Sequence, residues 1–414
     1  MRRRGLLLAA MGLGAGSAAW KLWPDEGWWN PCRPLPTPEH LANHEFVRSA
    51  WIGLDPAKVW DVHVHLLGMG AGDNRIWVNP AMRNILHPFE FIHAKFYANA
   101  ACEIGRDEAA ENAYVARLTA LQQTRPAGLK LMLLAMDYFH DESGNRVPGR
   151  TVFHVPNDYA AEIAARNAAR FEWIASIHPY RKDCVEALEW AARHGARAIK
   201  WLPSIMGIDP ASPRCVRFYD ALVRLDMPLM SHGGYEHPLL DSGALQEFNN
   251  PLALRRPLER GVRVIVAHCA STGAGIDIDR GAHGPEVENF SLFSRLMDDP
   301  RYVGRLAGDI SALTETSRVG PILRYIIKKT EWHGRLLNGS DYPLPGYIPE
   351  ISIARHVDQN FITPAQGRLL VEIRQYDPLL FDFLLKRQVS VDGARFAAAV
   401  FETADFFAKG KSRT

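Results

Sequence analysis

Eight short apolar runs, separated mainly by helical stretches and several of them ending in histidine or aspartate, predict an α/β protein. The expected form is a (β/α)8 TIM barrel with an N-terminal signal or anchor and extra C-terminal helices. Three observations carry that expectation. The runs are near-continuously apolar, as in a parallel sheet covered on both faces. Eight such units favour a closed barrel over an open doubly wound sheet. No glycine-rich dinucleotide or phosphate-binding fingerprint follows the first run.

The first run, Val59 to His65, ends in His63-Val64-His65. In a strand, side chains two apart share a face, so both imidazoles are expected to point the same way, with Asp61 behind them. A loop around Gly68 to Asn74 follows, and no periodicity is clear up to about His93; long loops in compact domains tend to be functional. Helix is expected over roughly 96–123. Strand 129–136 and helix 157–170 come next, then strand 173–179 and helix 182–194, stopped by Gly195. Further strands are expected at 196–202, 228–232, 262–268, 306–313 and 335–341. The helices between them fall at 213–225, 251–260, 286–297 and 320–329. Residues 349–414 read as helices packed outside the barrel, an extension of the catalytic domain at 57–348.

The start of the chain differs. Arg2-Arg3-Arg4 precede Gly5 to Trp20, a stretch without charge and rich in small residues, which is the layout of an export signal or membrane anchor over 1–23. A proline- and tryptophan-rich linker or cap is expected over 24–56. The protein is therefore expected to be exported, or tethered to the inner membrane with its catalytic domain outside the cytoplasm; a cytoplasmic protein is the alternative. The net charge of +2 offers no electrostatic reason for a nucleic-acid partner. Cys32, Cys102, Cys184, Cys215 and Cys269 are scattered without C-x-x-C spacing, so neither a disulfide framework nor a cysteine zinc site is indicated.

Barrel active sites lie at the C-terminal ends of the strands. His63 and His65 end the first strand, Lys200 lies in the fourth, His232 ends the fifth, His268 the sixth, and Asp341 the eighth. Histidines alone also occur as ordinary hydrogen-bonded strand residues, but convergence from several strand ends on one rim is hard to explain as packing. Neutral imidazoles and a carboxylate suit a divalent ion such as zinc. Such an ion makes hydroxide from water near neutral pH, and Asp341 is placed to accept the proton. His268 would complete a second metal site or act as acid and base. His140, His154, His178, His237 and His283, with Tyr138, Trp201, Tyr235 and Glu236, are candidates for the rim.

These motifs resemble the amidohydrolase superfamily, specifically its amidohydrolase-2 branch of metal-dependent TIM-barrel hydrolases and decarboxylases. The resemblance spans about 61–343. It rests on Asp61-Val62-His63-Val64-His65, Ser231-His232-Gly233-Gly234, Ala267-His268-Cys269 and Gly339-Ser340-Asp341-Tyr342-Pro343. It implies that His63, His65 and His232 are metal ligands and that Asp341 is a ligand and proton acceptor. His268 is then the acid/base, or the histidine of a second metal; Lys200 stands where some superfamily members carry a carboxylated lysine bridging two metals, although in this branch a lysine there is often no ligand but a structural or substrate-facing cation. One divalent ion, zinc, is expected rather than two. The implied activity is hydrolysis of a small molecule, with metal-bound hydroxide attacking an amide, ester or lactone carbon. A non-oxidative decarboxylase on the same scaffold is the alternative, and a non-catalytic metal-containing binding protein a third.

Overall fold

The computed structural model describes residues 26–408, except 69, 71–75, 104–109, 124 and 237–244. The expected signal or anchor over 1–23 lies outside them. Among the described residues no helix is long and apolar enough to cross a membrane.

The strands are β1 (Trp60–His65), β2 (Trp77–Val78), β3 (Lys130–Leu134), β4 (Phe153–His154), β5 (Phe171–Ile174), β6 (Ile199–Trp201), β7 (Leu229–His232), β8 (Val264–Ala267), β9 (Ala274–Ile276), β10 (Glu286–Glu288), β11 (Leu306–Asp309) and β12 (Leu336–Leu337). A three-stranded sheet runs β1-β3-β5 and a five-stranded sheet β12-β11-β8-β7-β6, and every pairing within them is parallel. The α/β class is as expected, with helices in the crossovers. Both seams between the sheets carry backbone hydrogen bonds. At one, Ala175 N donates to Ala198 O (3.0 Å) and Lys200 N to Ala175 O (2.7 Å). At the other, Val62 N donates to Asn338 O (3.1 Å), Asp341 N to His63 O (2.8 Å) and His65 N to Tyr342 O (3.0 Å).

Two apolar layers hold these strands. An inner cluster joins Val62, Met132, Ile174, Ala198, Met230, Ile265, Ala307 and Leu337, so each parallel strand contributes from within or just beside its length. The alternate residues, among them Val64, Leu133, Trp173, Trp201, Leu229, Val266 and Leu336, belong to the outer core. Phe406 and Phe407 join the inner cluster. The C-terminal segment is therefore not confined to the outside, as expected, but fills part of the central core.

Several elements differ from the sequence reading for local reasons. Val62 and His63 together oppose Met132, which makes a β-bulge in β1. The strict two-residue alternation thus fails between Asp61 and His63. Asp61 turns to accept backbone hydrogen bonds from His63 N (3.1 Å) and Ser340 N (2.8 Å). The unpatterned stretch before His93 holds β2, which pairs antiparallel with β4, and the first turns of helix Pro88–Ala100. The helix expected from residue 286 begins at Asn289, because Glu286–Glu288 pairs with β9 as a hairpin. The scattered cysteines form one pair whose partners the sequence leaves open: Cys32 and Cys102 make a disulfide, bringing together residues 70 apart, while Cys184, Cys215 and Cys269 are free and buried.

Candidate metal centre

The strand ends bring the expected residues together. His63 lies in the bulge of β1 and His65 ends the strand, with His65 Nε2 3.0 Å and His63 Nε2 3.4 Å from Asp341 Oδ1. His268 Nε2 lies 3.9 Å from Asp341 Oδ2. The His268 ring is 5.2 Å from that of His63 and 5.0 Å from that of His232. His63, His65 and Asp341 offer ligand atoms close enough to share one ion. All of these side chains, with Lys200 and Glu236, line one pocket.

The tautomers follow from a network at the back of the site. Asp309 ends β11 and is fully buried; its Oδ2 lies 2.6 Å from His63 Nδ1. Ser311 Oγ donates to the same oxygen (2.7 Å) and accepts from His268 Nδ1 (2.9 Å), while Ser311 N donates to Asp309 Oδ1 (2.6 Å). Both rings therefore carry their proton on Nδ1 and turn the Nε2 lone pair toward the pocket. This is the carboxylate–histidine arrangement that orients metal ligands from behind. Asp309 was not recognised from sequence. The available signal was its place at the end of the seventh parallel strand, but its role depends on a distance to His63 that no spacing reveals.

Burial lowers the pKa of His63, and Lys200 lowers it further; burial lowers that of His268 well below the ordinary value. Burial alone would raise the Asp341 carboxyl, yet His63, His65 and His268 hold it well below the usual range. His232 Nε2 is buried and pairs with Glu236 Oε2 at 3.0 Å; burial would raise the Glu236 carboxyl, yet His232 holds it below the ordinary value. Lys200, fully buried, places Nζ 3.2 Å from His63 Nε2, so the amine occupies the direction in which that ring would bind an ion.

Local backbone fixes these positions. Gly339 is required because a Cβ there would stand 2.6 Å from His63 Cβ and 3.0 Å from Asp309 Oδ1. His268, Cys269, Ala270 and Asp341 all have φ between 49° and 58°, a left-handed conformation that costs non-glycine residues energy and clusters at functional sites.

Other rim candidates do not join the site. His178 is satisfied by Met206 O (2.9 Å) and Tyr180 N (3.2 Å). His140 bonds Tyr138 O, and His154 stacks on Tyr138. Trp201 Nε1 donates to Ile177 O within the outer core. Tyr235 and His283 are exposed. His237 lies outside the described residues. Glu236 does line the pocket.

With this geometry in view, comparison with known proteins is direct. The amidohydrolase-2 family model, described as amidohydrolase, matches residues 60–368. The chain belongs to the amidohydrolase family. It is accordingly an enzyme of the metal-dependent hydrolase and decarboxylase kind, acting on small molecules. No curated protein sequence matches it. Among solved structures, it is similar to an uncharacterised TIM-barrel protein from Bordetella bronchiseptica (16% identity, 69% of this chain and 86% of that chain, TM-score 0.42). A protein from Pseudomonas putida, provisionally designated a 2-pyrone-4,6-dicarboxylic acid hydrolase, is similar at 16% identity (73% and 89%, TM-score 0.42). The 5-carboxyvanillate decarboxylase of Sphingomonas paucimobilis is similar at 12% identity (77% and 97%, TM-score 0.41).

Proposed function

We propose that this amidohydrolase-family chain is a metal-dependent hydrolase of small, largely apolar esters, lactones or amides. We read its eight parallel strands, hydrogen-bonded at both seams around one inner core, as a closed (β/α)8 barrel with the site at its mouth. The observation that carries the function is the set of Nε2 atoms from His63, His65 and His268 around Asp341, with His232 in the same pocket beside the His268 ring.

The donor set fits a divalent ion such as zinc, held by His63, His65, His232 and Asp341. When bound, the ion would supply Lewis acidity and lower the pKa of a coordinated water. The protein's own groups do the rest. Asp309 and Ser311 fix the tautomers of His63 and His268. Asp341, kept ionised, accepts a proton at its carboxylate, and His268 Nε2 is free to take up a proton and return it to a leaving group. Lys200 does not bridge two ions in this reading: its amine pairs with the histidine and carboxylate cluster and must turn from His63 when that ring ligates.

The pocket walls favour hydrolysis over decarboxylation. Leu67, Ile76, Val78, Met82, Phe153 and Leu344 line it, with the carboxyl groups of Glu103 and Glu236 on the wall and Lys200 among the histidines. A di-acid would meet carboxylates and hydrocarbon there, whereas a neutral apolar ester or lactone would be desolvated favourably. The test is metal-reconstituted enzyme on a panel of neutral esters, lactones and amides beside aromatic acids, with acid production and carbon dioxide both measured. Acid release from neutral substrates supports this reading; carbon dioxide release from aromatic acids instead would establish the decarboxylase.

The same proposal places the catalytic domain outside the cytoplasm. The basic, then apolar, N-terminal sequence and the Cys32–Cys102 disulfide both support an oxidising compartment.

A further inference from the structure

Helix Pro88–Ala100 is apolar on two faces, and only one of them is accounted for. Ala94, Tyr97 and Ala98 face the pocket. On the other face, Phe89 is 78% and Ile92 49% exposed, and the preceding turn adds Ile85 at 74% and Leu86 at 81%. The stripe continues through Phe96, on which Trp29 stacks at 4.7 Å. An exposed apolar run of this kind marks an interaction surface.

We propose that this face seats on a lipid surface, with Leu86, Phe89 and Ile92 in the headgroup and acyl boundary of an anionic membrane. Two further observations select lipid. The described chain starts at Glu26, and within three residues Trp28 and Trp29 lie against Phe96 of this helix. The N-terminal sequence, with Arg2 to Arg4 ahead of an uncharged stretch from Gly5 to Trp20, therefore joins the fold at this face. Tryptophans next to such a stretch suit the membrane interface. The charge also fits: between residues 83 and 95 the cations Arg83 and Lys95 outnumber the one carboxylate, Glu90. The helix then separates the pocket from the bilayer, and an apolar substrate dissolved in the membrane would reach the site past it. The docking itself is independent of the reaction catalysed.

The test uses the full chain carrying an environment-sensitive thiol label at Leu86→Cys; the native free cysteines are buried and leave the label specific. Vesicles of phosphatidylglycerol with bromine-bearing phosphatidylcholine are added. The label is expected to shift to the blue and be quenched, while one at Val303→Cys, exposed in the turn before β11, is not. Phe89→Gln with Ile92→Gln removes two large apolar side chains and should weaken the docking equilibrium at least about tenfold. Both positions are exposed, so the melting temperature should hold. Three results would overturn the proposal. One is a vesicle-bound chain whose Leu86 label stays in water. The others are a label shielded without lipid, either in a monomer, where the chain's own N-terminus covers the face, or in a dimer, where a second copy does.

Discussion

Replacing Asp309 with asparagine should weaken metal binding without touching a metal ligand. Its two carboxylate oxygens accept three donors: His63 Nδ1–H at 2.6 Å, Ser311 Oγ–H at 2.7 Å and Ser311 N–H at 2.6 Å. An amide of the same shape has one oxygen and one NH2 group, so at least one donor must face another. If the NH2 group faces His63, the ring moves its proton to Nε2 and loses the lone pair that binds the ion. If it faces Ser311 N, a buried donor is left unpaired, and His63 keeps only a neutral acceptor. Hydrogen bonds to a charged partner contribute about 1.5–3 kcal/mol. Outer-shell partners of this type are worth roughly 10–100-fold in metal affinity. The expected outcome is a dissociation constant raised about 10–100-fold, measured by competition with a chromophoric chelator. Melting of the metal-free variant separates this effect from general destabilisation. An Asp309→Asn protein that binds the ion as tightly as the parent would refute the orienting role of Asp309.

Three other outcomes are expected. Gly339→Ala drives a methyl group against His63 and Asp309; overpacking of this kind costs about 1–3 kcal/mol, and both thermal stability and metal stoichiometry should fall. His178 and His356 are buried, and burial pulls their pKa values down to about 3 and about 4. Their stabilising contribution is therefore present above pH 6.5, the unfolded value, and is lost as pH falls through those lower values, at about 1.4 kcal/mol per pH unit for each histidine. Denaturation across that window should steepen accordingly, and His356→Gln should flatten the slope by one proton. Cys102→Ser opens the link between residues 70 apart and should cost about 4 kcal/mol by the chain-entropy argument, read from denaturant midpoints in parallel with reduced parent protein.

Residues at strand ends were legible in the sequence because a parallel strand announces itself by apolar continuity and its end by the first polar residue. His63, His65, His232, His268 and Asp341 all fall at such ends, and the structure gathers them in one pocket. Asp309 shares that position yet was passed over, because a residue that orients a ligand from behind has no spacing to betray it. Helix Pro88–Ala100 was obscured for the opposite reason: with apolar residues on two faces, it has no single stripe to mark its period. The bulge in β1 and the left-handed backbone at His268 and Asp341 arise from packing across strands, which no local propensity encodes. Glu286–Glu288 read as the start of a helix because its pairing partner, β9, lies in a turn-rich stretch without strand patterning.

The central claim is that the four ligands hold a divalent ion. Elemental analysis of the purified, reconstituted chain beside His63→Ala and His232→Ala tests it most directly. One zinc or similar ion per chain in the parent, lost from both variants while they remain folded, is the predicted result. A parent that retains no stoichiometric ion, or variants that retain it in full, would contradict the account.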